Sequence, residues 1–201
     1  MKKKLARLNA IAVALEELQA ADATQAAKSV EDEKEVYALL ADDRVLNEAT
    51  EVEHQEQCQF MKEKAGVRAI FRVRRTEKTV PSKEVFYTLA IKMPRDEEGR
   101  RDQLELDVSE DVFMAFKQVY ERAIAKTRYT LTVPNRPGKL EIDVVPGTKW
   151  VKIDYEFSEG EDRSFPELPA GFEQVIPGNS KDPEHRKIID AYFEAASVAV
   201  S

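Results

Sequence analysis

Residues 126–157 read KTRYTLTVPNRPGKLEIDVVPGTKWVKIDYEF. In this stretch Lys126 and Arg128, then Glu141 and Asp143, then Asp154 and Glu156 take alternate positions, with Thr127, Ile142 and Tyr155 between them. Period-two alternation marks β-strands with one polar and one apolar face. The breaks PNRPGK and PGTK carry the Pro and Gly of hairpin connections. Three antiparallel strands follow from this stretch, each with charge of one sign at its centre.

The same pattern extends upstream. Glu51, Glu53 and Gln55 share one face of EVEHQ, and Arg72 and Arg74 share one face of FRVRR. Lys92 closes YTLAIK, and Glu105 and Asp107 sit in LELD. Strands are expected near 46–58, 67–77, 84–93, 102–108, 127–133, 139–145 and 149–158, with TEKTVPSKE and PRDEEGRRD as further turns. A sheet that needs only solubility mixes its charges within each strand. Here the exceptions, Lys139 and Lys152, stand at strand starts. The separation by sign predicts a site for a polyanion together with divalent metal ions.

Helices are expected in three places. Ser109–Ala125 has a Ser N-cap, acids in its first turn, and Val112, Phe113, Phe116, Val119 and Ile124 on one face. A final helix is expected from Pro183 to Ala199, burying Ile188, Ile189, Tyr192 and Phe193. Residues 1–44 read as a helical hairpin. Leu5, Leu8, Ile11, Ala12, Leu15 and Leu18 form its first apolar stripe, and Val30–Ala41 forms the second helix behind Ser29. The expected division is thus an extension over 1–44 and a domain over 45–201. The hairpin reads first as a cover on the sheet and second as an arm for a homodimer or a docked partner.

With a net charge of −7 and a pI near 5.1, duplex nucleic acid is not an expected partner. The single cysteine, Cys58, allows no internal disulfide and no thiolate zinc site. The start MKKKLARLNAIAVALEEL is interrupted by Arg7 and Asn9 and followed by Glu16 and Glu17, unlike a signal peptide. No apolar run is long enough for a membrane span. The expected location is the cytoplasm. His54 and His185 are isolated and read as surface or packing residues, and Trp150 and Tyr155 as packing against a helix.

The expected fold is α+β: a closed or nearly closed antiparallel β-barrel of about eight strands with flanking helices. Phe71, Val73, Leu89, Ile91, Ile142, Val144, Ile153, Tyr155 and Phe157 would then face outward, and the charged faces would line the lumen.

In their order, these motifs resemble the CYTH superfamily of triphosphate tunnel metalloenzymes. The likeness covers roughly Thr50 to Asn179 and is carried by Glu51-Val52-Glu53-His54-Gln55, Arg72-Val73-Arg74, Thr88 to Lys92, Lys126-Thr127-Arg128, Glu141-Ile142-Asp143 and Asp154-Tyr155-Glu156. Gln55 replaces the lysine that ends the first motif, and Asp154 replaces a glutamate. VIPGNS stands where a threonine-containing turn is usual.

The resemblance implies a metal-dependent hydrolase of inorganic, nucleoside or other organic triphosphates, with Mg²⁺ or Mn²⁺. Arg72, Arg74 and Arg128 offer bidentate donors to phosphate, and Lys92 and Lys126 point charges. Carboxylate oxygens suit these metals, and Glu51, Glu53, Asp154 and Glu156 are the ligand candidates. Glu105, Asp107, Glu141 and Asp143 are candidates for a second metal or for positioning water. Glu53, Lys92 and Arg128 are the expected catalytic set. Two alternatives accompany this reading: a triphosphate-binding module that has lost turnover, and a cyclase like the class IV adenylate cyclases of the same superfamily.

Overall fold

In the computed structural model of the protein, the described residues are 27–64, 67–97, 100–119 and 122–199. The expected first helix of the N-terminal hairpin lies outside them. The described strands are β1 (Ala27–Glu31), β2 (Glu33–Leu40), β3 (Glu51–Lys64), β4 (Val67–Val80), β5 (Glu84–Lys92) and β6 (Arg101–Asp107). Then come β7 (Arg122–Thr132), β8 (Lys139–Val144), β9 (Trp150–Glu156), β10 (Phe172–Pro177) and β11 (Ser197–Ala199). Two helices, α1 (Glu110–Val119) and α2 (Pro183–Ala196), and a 3₁₀ turn over Asp43–Glu48 complete the described elements.

All described strands join one antiparallel sheet in the order β1-β6-β5-β4-β3-β7-β8-β9-β2-β10, with β11 attached to β7. The hydrogen-bonded path is open, ending at β1 and β10. One residue, Asp32, separates β1 from β2, yet β1 pairs with β6 and β2 with β9. The Asp32 carbonyl accepts from Phe157 N–H at 2.9 Å, which carries the β2–β9 ladder up to that break.

Two helical expectations are corrected. Residues 30–41 are not the second helix of a hairpin: most of them lie in β1 and β2, within the sheet. Tyr37 packs with Ile176, Ile189 and Tyr192, whereas its neighbour Ala38 packs with Ile142 and Ile153. A strand buried on both faces loses its period-two signature and imitates a short apolar helix. The helix expected over Ser109–Ala125 is shorter, and Arg122–Ala125 open β7 instead. Ile124 is flanked by Gln57 of β3 and Ser197 of β11. Ladders on both sides outweigh the modest helix propensity of this segment. The final helix stops at Ala196, after which β11 pairs back onto β7.

The apolar faces point away from the charged ones, as alternation requires. Val73, Leu89 and Leu106 lie under Val112, Phe113 and Phe116 of α1. Ile142, Ile153, Tyr155 and Phe157 pack beneath Val45, Phe165, Leu168 and Phe172. Trp150 joins the third cluster, beside Ile189 and Tyr192 of α2. Tyr155 instead packs edge-on against Phe157 and Phe165, and its hydroxyl donates to Glu161 Oε1. Fully burying one such side chain stabilises by about 1.5–3 kcal/mol, so these clusters fix which face of each strand is left for the site.

Candidate functional site

The opposite face encloses a cavity of about 540 Å³. Its described lining holds eight lysines and arginines and eight aspartates and glutamates, so its formal charge balances. Of the residues expected from sequence, Arg72, Arg74, Lys92, Lys126 and Arg128 are all brought to it. So are Glu105, Glu141, Asp143, Asp154 and Glu156. Glu51, Glu53 and Asp107 are not among its lining. Further along β3, Gln57 and Gln59 take the cavity positions, while Glu51 pairs with Lys78 at 2.5 Å and with Lys139 at 3.6 Å. Gln55 donates to Glu53 Oε2 at 2.7 Å.

Sequence reading missed one wall. Glu31, Glu33 and Glu35 of the strand pair β1–β2 line the cavity, as do Lys152, Arg95 and Arg101. The alternate acids at 31, 33 and 35 carried the same period-two signal as the other strands, but there it reads equally as the acidic first turn of a helix. Register sets Glu33 opposite Glu156 and Glu35 opposite Asp154, with Asp154 flanked on its other side by Glu141 of β8. Four carboxylates of β2 and β9 therefore share one face.

Most cavity acids are held by bases. Arg128 donates to Asp143 Oδ1 at 2.7 Å and Oδ2 at 3.0 Å, and also to Glu141; it lies 3.7 Å from Asp154. Lys126 also donates to Asp143. Burial would raise the Asp143 carboxyl, but Arg128 and Lys126 hold it well below the ordinary range. Despite burial, Asp143 and Glu141 push Arg128 well above its usual value. Lys152 bridges Asp154 at 2.5 Å and Glu35 at 3.0 Å. Glu31 accepts from Lys92 and Arg101, and Glu33 pairs with Arg95 at 2.5 Å.

The β4 arginines differ. Arg72 reaches Glu105 only at 3.6 Å, and no carboxylate stands within ion-pair distance of Arg74 among the described residues. The Nε atoms of both are buried without a hydrogen-bond partner. Burial and the neighbouring Arg74 lower Arg72 to about 9. Burial and Arg128 lower Arg74. Burial also brings Lys92 to about 8, with Arg72 adding to the effect, and Lys126 to about 7, with Arg128 adding. Lys92 and Lys126 keep Glu31 and Asp143 as partners, so the part of the cavity short of anions is that around Arg72 and Arg74.

The acids of β2 and β9 are crowded in the converse sense. Burial and then Asp154 raise Glu33 to about 7, and burial and then Glu141 raise Glu156. All-oxygen donors under mutual repulsion fit a hard divalent cation in kind. Among the described residues, however, no three His, Cys, Asp or Glu side chains stand gathered as a ready-made metal site. His54 lies outside the cavity lining, exposed, with Nδ1 3.0 Å from Thr127 Oγ1. Cys58 is buried, and burial pushes its thiol up to about 11, which disfavours the thiolate. No described helix is long and apolar enough to cross a membrane.

No family model and no curated protein matches the chain. Solved structures of the protein NE1496, one of them described as an inorganic triphosphatase, are similar at 18% identity and a TM-score of 0.43, covering 84% of this chain and 96–99% of theirs. A putative adenylyl cyclase from Hippeastrum with a dominant triphosphatase activity is similar at 11% identity and a TM-score of 0.40, over 86% of this chain and 90% of its own. Likenesses of this size do not decide function.

Proposed function

We propose that the chain is a member of the CYTH superfamily and a metal-dependent hydrolase of triphosphate compounds, acting in the charged cavity. The observation that carries this reading is the pair Arg72 and Arg74 on one face of β4, whose Nε atoms are buried without a partner: Arg72 reaches an acid only at 3.6 Å, and Arg74 none within ion-pair distance among the described residues. A triphosphate brings several negative charges on closely spaced oxygens and would supply what the pair lacks, with Lys92, Lys126 and Arg128 on flanking strands. The fold suits this reading if 27–40 counts as a single strand crossing from β6 to β9. Eight strands would then ring a tunnel.

The charge balance suggests how ligand enters. Without it, most acids of the cavity are paired with bases, and Arg74 is left without an acid within pairing distance among the described residues. Glu33, Glu35, Asp154 and Glu156 share one face and would hold Mg²⁺ or Mn²⁺, in place of the contacts of Glu33 to Arg95 and of Glu35 and Asp154 to Lys152. The chemistry supplied by a metal at these carboxylates would be polarisation of a phosphoryl oxygen or a lowered pKa of a coordinated water. Arg72 and Arg74 orient the chain of phosphates and offset charge on the group in transfer. Water adds to the terminal phosphorus, the anhydride P–O bond breaks, and phosphate and the shortened chain leave. Glu105, Glu141 and Asp143 position the bases, Asp143 by fixing Lys126 and Arg128.

The test is phosphate release from inorganic triphosphate with Mg²⁺ or Mn²⁺, beside Arg74→Gln. Release that needs metal and falls in the variant is expected; no metal-dependent release overturns the reading. A second reading, binding without turnover, is favoured by Gln55, which is 2% exposed and hydrogen-bonded to Glu53 where a lysine would offer charge. Tight binding with no product would select it, and cyclic product in place of phosphate would select a cyclase.

A further inference from the structure

The acidic wall contains a cation of its own. Alternation puts Lys152, Asp154 and Glu156 on one face of β9, and all three line the cavity. Lys152 is the one base among them. Its ammonium lies 2.6 and 2.5 Å from the two carboxylate oxygens of Asp154 and 3.0 Å from Glu35 Oε2. An ammonium has three donors, and three oxygens from two neighbouring strands take them. The side chains of Lys152 and Asp154 are 16% and 3% exposed, so water competes little for this contact.

Glu35 is held in turn by the VIPGNS stretch at the end of β10. Gly178 donates its N–H to the Glu35 carbonyl at 3.0 Å, and a Cβ at this glycine would collide with the Glu35 carboxylate. The missing side chain at 178 is what lets that carboxylate lie beside Lys152. A hard divalent ion draws its oxygen ligands to about 2.0–2.1 Å in the case of Mg²⁺. It needs the same oxygens that the ammonium already holds. Two cations within a few ångströms of each other repel strongly at such a buried place, so metal reaches Glu35 and Asp154 only as Lys152 leaves them.

We propose that Lys152 is a tethered counter-cation that competes with divalent metal for Glu35 and Asp154 and so sets the metal affinity of the cavity. This rests on the reading above that the acids of β2 and β9 hold the metal. Loss of Lys152 should then tighten metal binding, the opposite of losing a ligand. The test is titration of the full chain with Mn²⁺, without triphosphate, following the electron paramagnetic resonance signal of free Mn²⁺. Lys152→Gln, whose amide can still donate to an acid, should bind Mn²⁺ at least about tenfold more tightly than the wild type. Lys152→Met should do the same, and Lys152→Arg should stay at wild-type affinity. Lys34→Met removes an exposed charge from the other face of β2, where Lys34 donates to the Arg163 carbonyl. It should change affinity by less than about threefold. Equal or weaker Mn²⁺ binding in the neutral Lys152 variants overturns the inference and leaves metal binding by the acids standing. So does tightening that Lys152→Arg or Lys34→Met shows in equal measure. If neither wild type nor variants bind Mn²⁺, both readings fall together.

Discussion

Arg74 and Arg128 line the same cavity, on β4 and β7, and their surroundings are opposite. Arg128 is bonded to Asp143 and Glu141 and approaches Asp154; Arg74 has no acid within pairing distance among the described residues. A buried guanidinium with its counterions in place has its desolvation offset. One without them costs stability, and a polyanion relieves that cost. The difference separates a cation already neutralised within the cavity from one that waits for ligand.

The largest expected effect falls on the satisfied corner. Asp143→Asn leaves Lys126 and Arg128 without their shared, 1%-exposed partner. Denaturant unfolding should show a loss of about 3–5 kcal/mol, and a loss below about 1 kcal/mol would break the contrast. On the unsatisfied side, Arg74→Gln should lower kcat/KM for triphosphate by about 10²–10³ with no fall in melting temperature. A variant that loses stability in step with activity would show Arg74 to be structural.

A third prediction concerns protons. Lys92, near 8, and Lys126, near 7, are depressed by burial and neighbouring cations, and a bound polyanion would raise both again. Binding at pH 8 should therefore take up protons, and affinity should fall as pH rises above 8. In the ligand-free protein the sign is reversed. A lysine depressed by folding costs stability while charged in the unfolded chain, so stability should rise with pH as the lysines deprotonate. Calorimetry in buffers of different ionisation enthalpy measures the uptake, and proton release would contradict the assignment. The smallest effect is expected outside the cavity. Glu51→Gln removes a partly exposed pair with Lys78, worth about 0.2–1 kcal/mol, and should move triphosphate affinity far less than Glu33→Gln. Equal effects would return Glu51 to the site.

Strands β3 to β9 were legible because each buries one face and shows the other to the cavity, so alternation survives in Arg72–Arg74 or Glu141–Asp143. Residues 30–41 were misread where Tyr37 and Ala38 bury both faces and erase it. Arg72, Arg74, Lys92, Lys126 and Arg128 were found by sign and spacing, whereas Arg95, Arg101 and Lys152 were not. Which of them would lack partners could not be read, because Arg74 and Arg128 differ only in what neighbouring strands set beside them. The acids at 31, 33 and 35 show the same limit. Period two was present, but nothing in the sequence told that strand from the first turn of a helix.

The most direct measurement is titration of the full chain with inorganic triphosphate, with and without Mg²⁺, in wild type, Arg72→Gln and Arg74→Gln. If the β4 pair is the anion site, the wild type binds one equivalent and each variant binds at least about tenfold more weakly. Equal affinity in all three proteins, or no binding by the wild type, would contradict it.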